Sequence, residues 1–533
     1  MDKALSENDN TCLLHRPRDP QLIPAGHRMR LRLPAGVRPD QIFTLDEQGQ
    51  IRSSQSIPKA ADVNSTVELE LDHPADVPLA AIGFFGASFS ASKDATASLH
   101  FAPPLQAIVL SGVSAEPNEE PLQQFPIGVT WEAEAARATG LSNLLRNHDG
   151  TQAQNTNVQS LYIEYSMPSF KAMEDLESSP SEVPVPVACG LQIISNGGTS
   201  KDFKLMLRPG INKVFLYQPV IGGVPESILF TDAPAGFRLL SIGRHHVECS
   251  EPPSPLPADA GTIFLYPRDQ WRQKDFELFS WSLYPEVLLF DMTDYQTQAR
   301  FFKRLAFFVE KQGFQGRLLT NQQLEGRHGY NAHNYNGNGL ADFFQAAADQ
   351  SFVLNPEEEL LREVAESAGI IRRVPNGWQA GPGGVLSISQ DSPFGNGHRL
   401  LLLSHEAMHG VFYANPSFAD FIEDFWHQEM NQQQREFWRI FMQYMHYSPQ
   451  DEYLVINELQ AYLLQYPHRV NQWYFAERVR SRLTNSMPAY KPQIDAFYQA
   501  YPDFFTASSW QFNQKLFTTS GIIGGDVRCL IAE

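Results

Sequence analysis

The stretch Leu401-Leu402-Leu403-Ser404-His405-Glu406-Ala407-Met408-His409-Gly410-Val411-Phe412-Tyr413 is apolar around a His-Glu-x-x-His core and meets no proline until Pro416. It predicts a buried helix. On a helix, residues four apart lie one above the other on the same face, so His405 and His409 can aim imidazole nitrogens at one point. Two histidines and a glutamate on an apolar helix each need a buried partner. A plain core packing would have to supply three partners; one metal ion serves all three residues. Zinc suits neutral imidazoles, and with a third protein ligand it keeps a position open for water and lowers that water's pKa to about 7. Glu406, one position round from His405, is then the candidate base that takes the water's proton and passes it to a leaving amine.

The length, 533 residues, is too great for one hydrophobic core and predicts two to four domains. A formal net charge of −19 argues against a nucleic-acid partner or an anionic membrane surface, both of which favour basic patches. No run reaches the length of a membrane span, and Met1-Asp2-Lys3-Ala4-Leu5-Ser6 does not read as a signal peptide. The chain is expected to be cytoplasmic, or else exported with its signal removed. Cys12, Cys189, Cys249 and Cys529 are far apart and form no Cys-x-x-Cys pair, so they predict no metal site.

Residues 1–105 predict a small β-sandwich. Arg28–Leu33 and Thr66–Leu71 alternate apolar and polar, and Ala80–Phe85 reads as a further strand. Residues 106–255 predict a second all-β module, with strands at 160–165, 191–194, 203–207, 213–217 and 237–242. Its Phe203–Ile242 segment loosely resembles jelly-roll modules that bind carbohydrate. Glu177–Pro186 reads as a loop and Glu251–Pro257 as a stiff linker. From residue 260 to 533 the pattern becomes α+β. Thr262–Tyr266 and Glu286–Phe290 read as strands, Gln296–Gln312, Gly339–Ala348 and Pro356–Ala368 as helices, and Val385–Ser389 as the strand before the His-Glu-x-x-His helix.

A third ligand is required. One arrangement wants glycine at 412 and histidine at 415, where this chain has Phe412 and Asn415, so it is excluded. Another takes a glutamate from a later helix. Glu429 follows His409 by 20 positions in a polar setting beside His427, whereas Glu458 follows by 49 but lies in the apolar helix Leu454–Leu464. A carboxylate alone in such a helix demands a cation. Ser448 as N-cap, Pro449 and Asp451 are expected to open that helix, and Pro467 follows its end.

His405-Glu406-x-x-His409 with Asn457-Glu458-x-x-Ala461 resembles the two motifs of the gluzincin metallopeptidases, over roughly residues 380–466. The resemblance implies Zn²⁺ held by His405, His409 and Glu458, with Glu406 as base. It also implies that Gly384, Val385 and Leu386 lie on an edge strand that pairs with extended substrate. The long insertion Ser417–Tyr447, read as two helices with Ser417 opening the first, departs from the pattern. Tyr462, Tyr330, His333, Tyr413 and His446 are candidates for stabilising an oxyanion.

The expectation is therefore a zinc endopeptidase behind two β-sandwich modules. Its substrate would be an extracellular protein or a glycoprotein such as mucin, acted on in a secreted, periplasmic or cell-surface setting. No glutamate follows Gly383-Gly384 to anchor a free amine, which favours internal cleavage. Two alternatives stay open: a non-catalytic glycan-binding adhesin, and a zinc hydrolase of a non-peptide amide.

Overall fold

The computed structural model describes residues 157–167 and 186–533, apart from 196–197, 235–236, 249 and 392–394; before residue 157 it describes strands alone. The chain has several sheets followed by a mixed region rich in helices, an α+β organisation. Among the described residues no helix is long and apolar enough to cross a membrane.

In the N-terminal part, Met29–Leu33 pairs antiparallel with Val67–Leu71, and Gln41–Leu45 lies between Ile51–Ser56 and Ala81–Gly86. Next come a three-stranded sheet centred on Asn157–Met167 and a six-stranded sheet that contains Ala188–Ser195 and Ser200–Met206. Phe237 bridges them, its ring 5.7 Å from both Tyr165 and Phe230. The predicted loop at 177–185 lies outside the described residues.

Two features cut across the expected boundary at 255–260. Leu256 and Pro257, the end of the predicted linker, form with Ala258 a strand parallel to Phe276–Trp281 in the next sheet. At the other end of the chain, Leu530–Ala532 returns to pair with Ser200–Met206. Asp259 fixes this return by accepting from the backbone N–H groups of Cys529 and Leu530 at 2.9 and 3.1 Å. Leu530–Ala532 is therefore an edge strand of the six-stranded sheet.

The sheet that carries the candidate site runs in the order Leu256–Ala258, Phe276–Trp281, Tyr284–Met292, Gly384–Ser389, His333–Asn336. Successive strand residues point to opposite faces. Leu288, Phe290 and Val385 accordingly pack with Phe301, Phe302 and Leu305 of the helix Tyr295–Val309. Val287, Leu289, Leu386 and Ile388 pack on the other face with Leu403, Ala407 and Val411. Those last three belong to the helix Asn396–Ala414, the metal helix hereafter. Arg399 in its first turn pairs with buried Asp291 and donates to the Phe264 carbonyl at 2.8 Å, tying the helix to the sheet. Gly410 allows the close approach: a Cβ there would stand 3.0 Å from Val287 and 3.3 Å from Leu386.

Several local expectations change. Thr262–Tyr266 is not a strand: Thr262–Leu265 belongs to the helix Ala260–Leu265, with Tyr266 at its C-cap, because Asp259 caps the helix through the N–H groups of Gly261 and Thr262. A short apolar run does not by itself distinguish the two states. The helix Pro416–Asp424 is opened by Asn415 rather than Ser417, and the helix Glu452–Leu464 by Asp451 rather than Ser448. In each case the carboxylate or amide that reaches the third helical N–H takes the cap. The predicted helix to Gln312 ends at Val309.

Candidate metal centre

The metal helix crosses the helix Glu452–Leu464, and both are buried along the crossing. His405 and His409 stand one turn apart, with their Nε2 atoms 3.2 Å from each other. Glu458 comes down on the same point: Oε2 lies 3.5 Å from His405 Nε2 and Oε1 lies 3.7 Å from His409 Nε2. The three residues are buried, and among the described residues they form a group able to hold a metal ion. Glu429 and His427, the other third-ligand candidates, are exposed on the turn Phe425–Glu429. They are not brought to this point.

The donor set fits a zinc-sized cation. Ligand bonds of about 2.0–2.1 Å in tetrahedral array put neighbouring ligand atoms about 3.3–3.4 Å apart, close to the separations seen here. Glu458 is fully buried, yet neither carboxylate oxygen has a hydrogen-bond partner. An uncompensated buried carboxylate is among the most costly arrangements a fold can hold.

The electrostatics agree. Burial pushes the Glu458 carboxyl up, but the imidazoles of His409 and His405, with Tyr447 behind them, hold it below the usual range. Burial disfavours charge on His405 too, yet Glu458 and Glu406 outweigh it and raise its pKa. A divalent cation at the same point would compete with a proton for these groups. Burial lowers His409 to about 4, keeping it neutral as a ligand must be. Its Nδ1 lies 2.9 Å from Asn457 Oδ1, which leaves Nε2 free for the metal.

Glu406 is buried beside the ligands. Burial raises its carboxyl to about 7, against the downward pull of His405 and of a 3.1 Å hydrogen bond from Asn334 Nδ2. Asn334 belongs to the strand His333–Asn336, which corrects the expected substrate edge. Gly384–Ser389 pairs on both sides, parallel to Tyr284–Met292 and antiparallel to His333–Asn336, and all six of its residues are buried. Gly384, Val385 and Leu386 therefore have no free edge to offer an extended peptide. The edge strand is His333–Asn336.

Gly384 has a different task. A Cβ there would stand 2.7 Å from both the Tyr335 carbonyl oxygen and the Tyr413 ring. Gly384→Ala is expected to cost about 1–3 kcal/mol of stability through this overpacking, read by denaturant unfolding. A stability within 0.5 kcal/mol of wild type would mean that the Tyr413 ring does not need the space.

The oxyanion candidates separate. Tyr413 is half-buried, with its hydroxyl bonded to Asn334 and Asn457. His333 pairs with the Tyr335 hydroxyl at 3.0 Å, and His446 is exposed. Tyr330 stacks on Tyr447 at 4.9 Å beneath the Lys311 ammonium. Tyr462 packs its ring against His405 at 4.8 Å.

Asn334 and Tyr335 enter the sequence reading only within the His-, Tyr- and Asn-dense segment Arg327–Tyr335, which reads either as a substrate-binding loop or as a polar surface loop; not singled out from sequence are Tyr447 and Glu310. The last is a fully buried carboxylate that accepts from the Tyr335 hydroxyl at 2.9 Å and is pushed well up by burial. Glu310 and Tyr447 lie just past helix ends, and His333-Asn334-Tyr335-Asn336 alternates buried rings with half-buried amides over only four positions, too short a run to mark a strand. Comparison with protein-family models, with curated proteins and with solved structures gives no match.

Proposed function

We propose that the chain is a zinc-dependent endopeptidase of gluzincin type, with a zincin-like domain behind two β-sandwich modules. The observation that carries this reading is the convergence of two imidazole nitrogens and an unpartnered buried carboxylate at 3.2–3.7 Å, with a second carboxylate alongside. Bound zinc would supply Lewis acidity, polarising a carbonyl and acidifying water.

The chain's own groups do the rest. Glu406, with a carboxyl near 7, is poised to exchange protons at neutral pH. It takes a proton from the attacking water as the water oxygen bonds to the carbonyl carbon. It then delivers that proton to the nitrogen as the C–N bond breaks, leaving a carboxylic acid and an amine. The substrate backbone would add to the edge strand His333–Asn336 by β-augmentation. The N-terminal modules would bring the enzyme to glycan-bearing proteins outside the cell.

The test is digestion of casein and of mucin by the zinc-saturated full chain, with and without a chelator. Internal cleavage abolished by the chelator and restored by zinc is expected. Preference for mucin would support the glycan-directed reading. Failure to cut either protein while zinc is bound would overturn the peptidase assignment.

A further inference from the structure

We propose that Asn457, Tyr413 and Asn334 form a one-way chain of hydrogen bonds that fixes the Glu406 carboxylate relative to the ligand His409, with the Tyr413 hydroxyl as the central positioning link. The inference rests on the zinc-peptidase reading and says how its base is held.

The chain crosses three elements. His409 Nδ1 on the metal helix meets Asn457 Oδ1 on the helix Glu452–Leu464 at 2.9 Å. Asn457 Nδ2 donates back across the crossing to the Tyr413 hydroxyl oxygen at 3.2 Å. The Tyr413 hydroxyl donates to Asn334 Oδ1 on the edge strand, and Asn334 Nδ2 donates to Glu406 Oε2 at 3.1 Å. The path thus leaves the metal helix at one ligand and re-enters it at the base.

Its direction is set at both ends. A carboxylate only accepts, so Asn334 must present its amide N–H to Glu406 and its carbonyl to Tyr413. A histidine that binds metal through Nε2 carries its proton on Nδ1, so Asn457 must present its carbonyl to His409. Gln460 Nε2 donates to the same Asn457 oxygen at 3.3 Å and holds that amide in place. Asn457 therefore offers N–H to Tyr413, and the phenolic proton has one place to go. Reversing either amide would break two bonds at once.

The ring of Tyr413 is located independently by Gly384, which leaves the room that a Cβ would fill. These contacts take up both sides of the hydroxyl of a tyrosine one turn beyond His409. It acts through Asn334, not on the reacting atoms. A partner of this kind keeps a buried carboxylate in one rotamer without offering it a competing proton.

The experiment uses the full zinc-loaded chain as wild type, Tyr413→Phe, Asn334→Ala, the double variant and Asn457→Ala. Zinc affinity is read by chelator competition, and kcat and KM on labelled casein. Tyr413→Phe and Asn334→Ala should keep one zinc and lower kcat by about 10–100-fold with KM nearly unchanged, in line with outer-shell effects. The double variant should fall within about twofold of the worse single variant, because one chain is cut twice. Asn457→Ala should weaken zinc by about 10–100-fold, since it removes the partner of a ligand imidazole. Losses that multiply in the double variant, or a wild-type kcat in Tyr413→Phe, would overturn the chain while leaving the peptidase reading intact. A wild type that binds zinc and cleaves no protein would overturn the peptidase reading and the positioning role with it.

Discussion

Glu406→Gln should bind one zinc as tightly as wild type and lose about 10²–10⁴-fold in kcat, the usual worth of a positioned general base. The substitution keeps shape and removes only the ability to take a proton. Zinc retention follows because Glu406 lies outside the converging group His405, His409 and Glu458. Asn334 can still donate to the remaining amide oxygen, so the local packing should hold. Parallel zinc analysis and casein digestion check the split. Loss of zinc together with activity would make Glu406 a ligand and undo the assignment of roles. Full activity would remove it from the reaction altogether.

Glu458→Gln should act on the metal first. Structural zinc in small folded peptides is bound with about 10–16 kcal/mol over four ligands, so one ligand is worth about 2.5–4 kcal/mol, or roughly 10²–10³-fold in affinity. Glutamine also ends the charge balance: two buried neutral imidazoles would face a neutral amide. Glu429→Ala is the matched control, because Glu429 is exposed on a turn away from the ligands and its removal should change nothing. Thermal unfolding gives a second readout. Zinc stabilises the folded state by linkage, so a chelator should lower the Tm of wild type and of Glu429→Ala, and leave that of Glu458→Gln nearly unmoved. Equal zinc affinity in Glu458→Gln and wild type would refute the third ligand.

What the sequence disclosed about this site follows from helix periodicity. His405 and His409 are four apart on an apolar run, and Glu458 is the one acid between Leu454 and Leu464, so burial and a common partner could be argued without coordinates. Sheet order could not. Gly384–Ser389 reads as an edge strand, and Leu386-Ser387-Ile388-Ser389 alternates apolar and polar like one, yet the strand is buried throughout and pairs on both sides. The true edge, His333–Asn336, alternates ring and amide side chains over only four residues, too short and too polar to stand out as a strand. Caps slipped by a few residues because serine, asparagine and aspartate stood close together, and only geometry shows which side chain reaches the free N–H. The strand Leu530–Ala532 pairs with residues more than 300 positions earlier, a contact no local pattern encodes. The Asn457–Tyr413–Asn334 connection is of the same kind, since it joins three elements distant in sequence.

The central claim is that His405, His409 and Glu458 hold one zinc ion. Elemental analysis of the full chain, saturated with zinc and then dialysed against zinc-free buffer, tests it most directly. The account predicts one zinc per chain, lost on dialysis against a chelator and regained on reconstitution. A wild-type chain that folds and retains no zinc under these conditions would contradict it, and the buried carboxylate of Glu458 would then have only the two imidazoles beside it as partners.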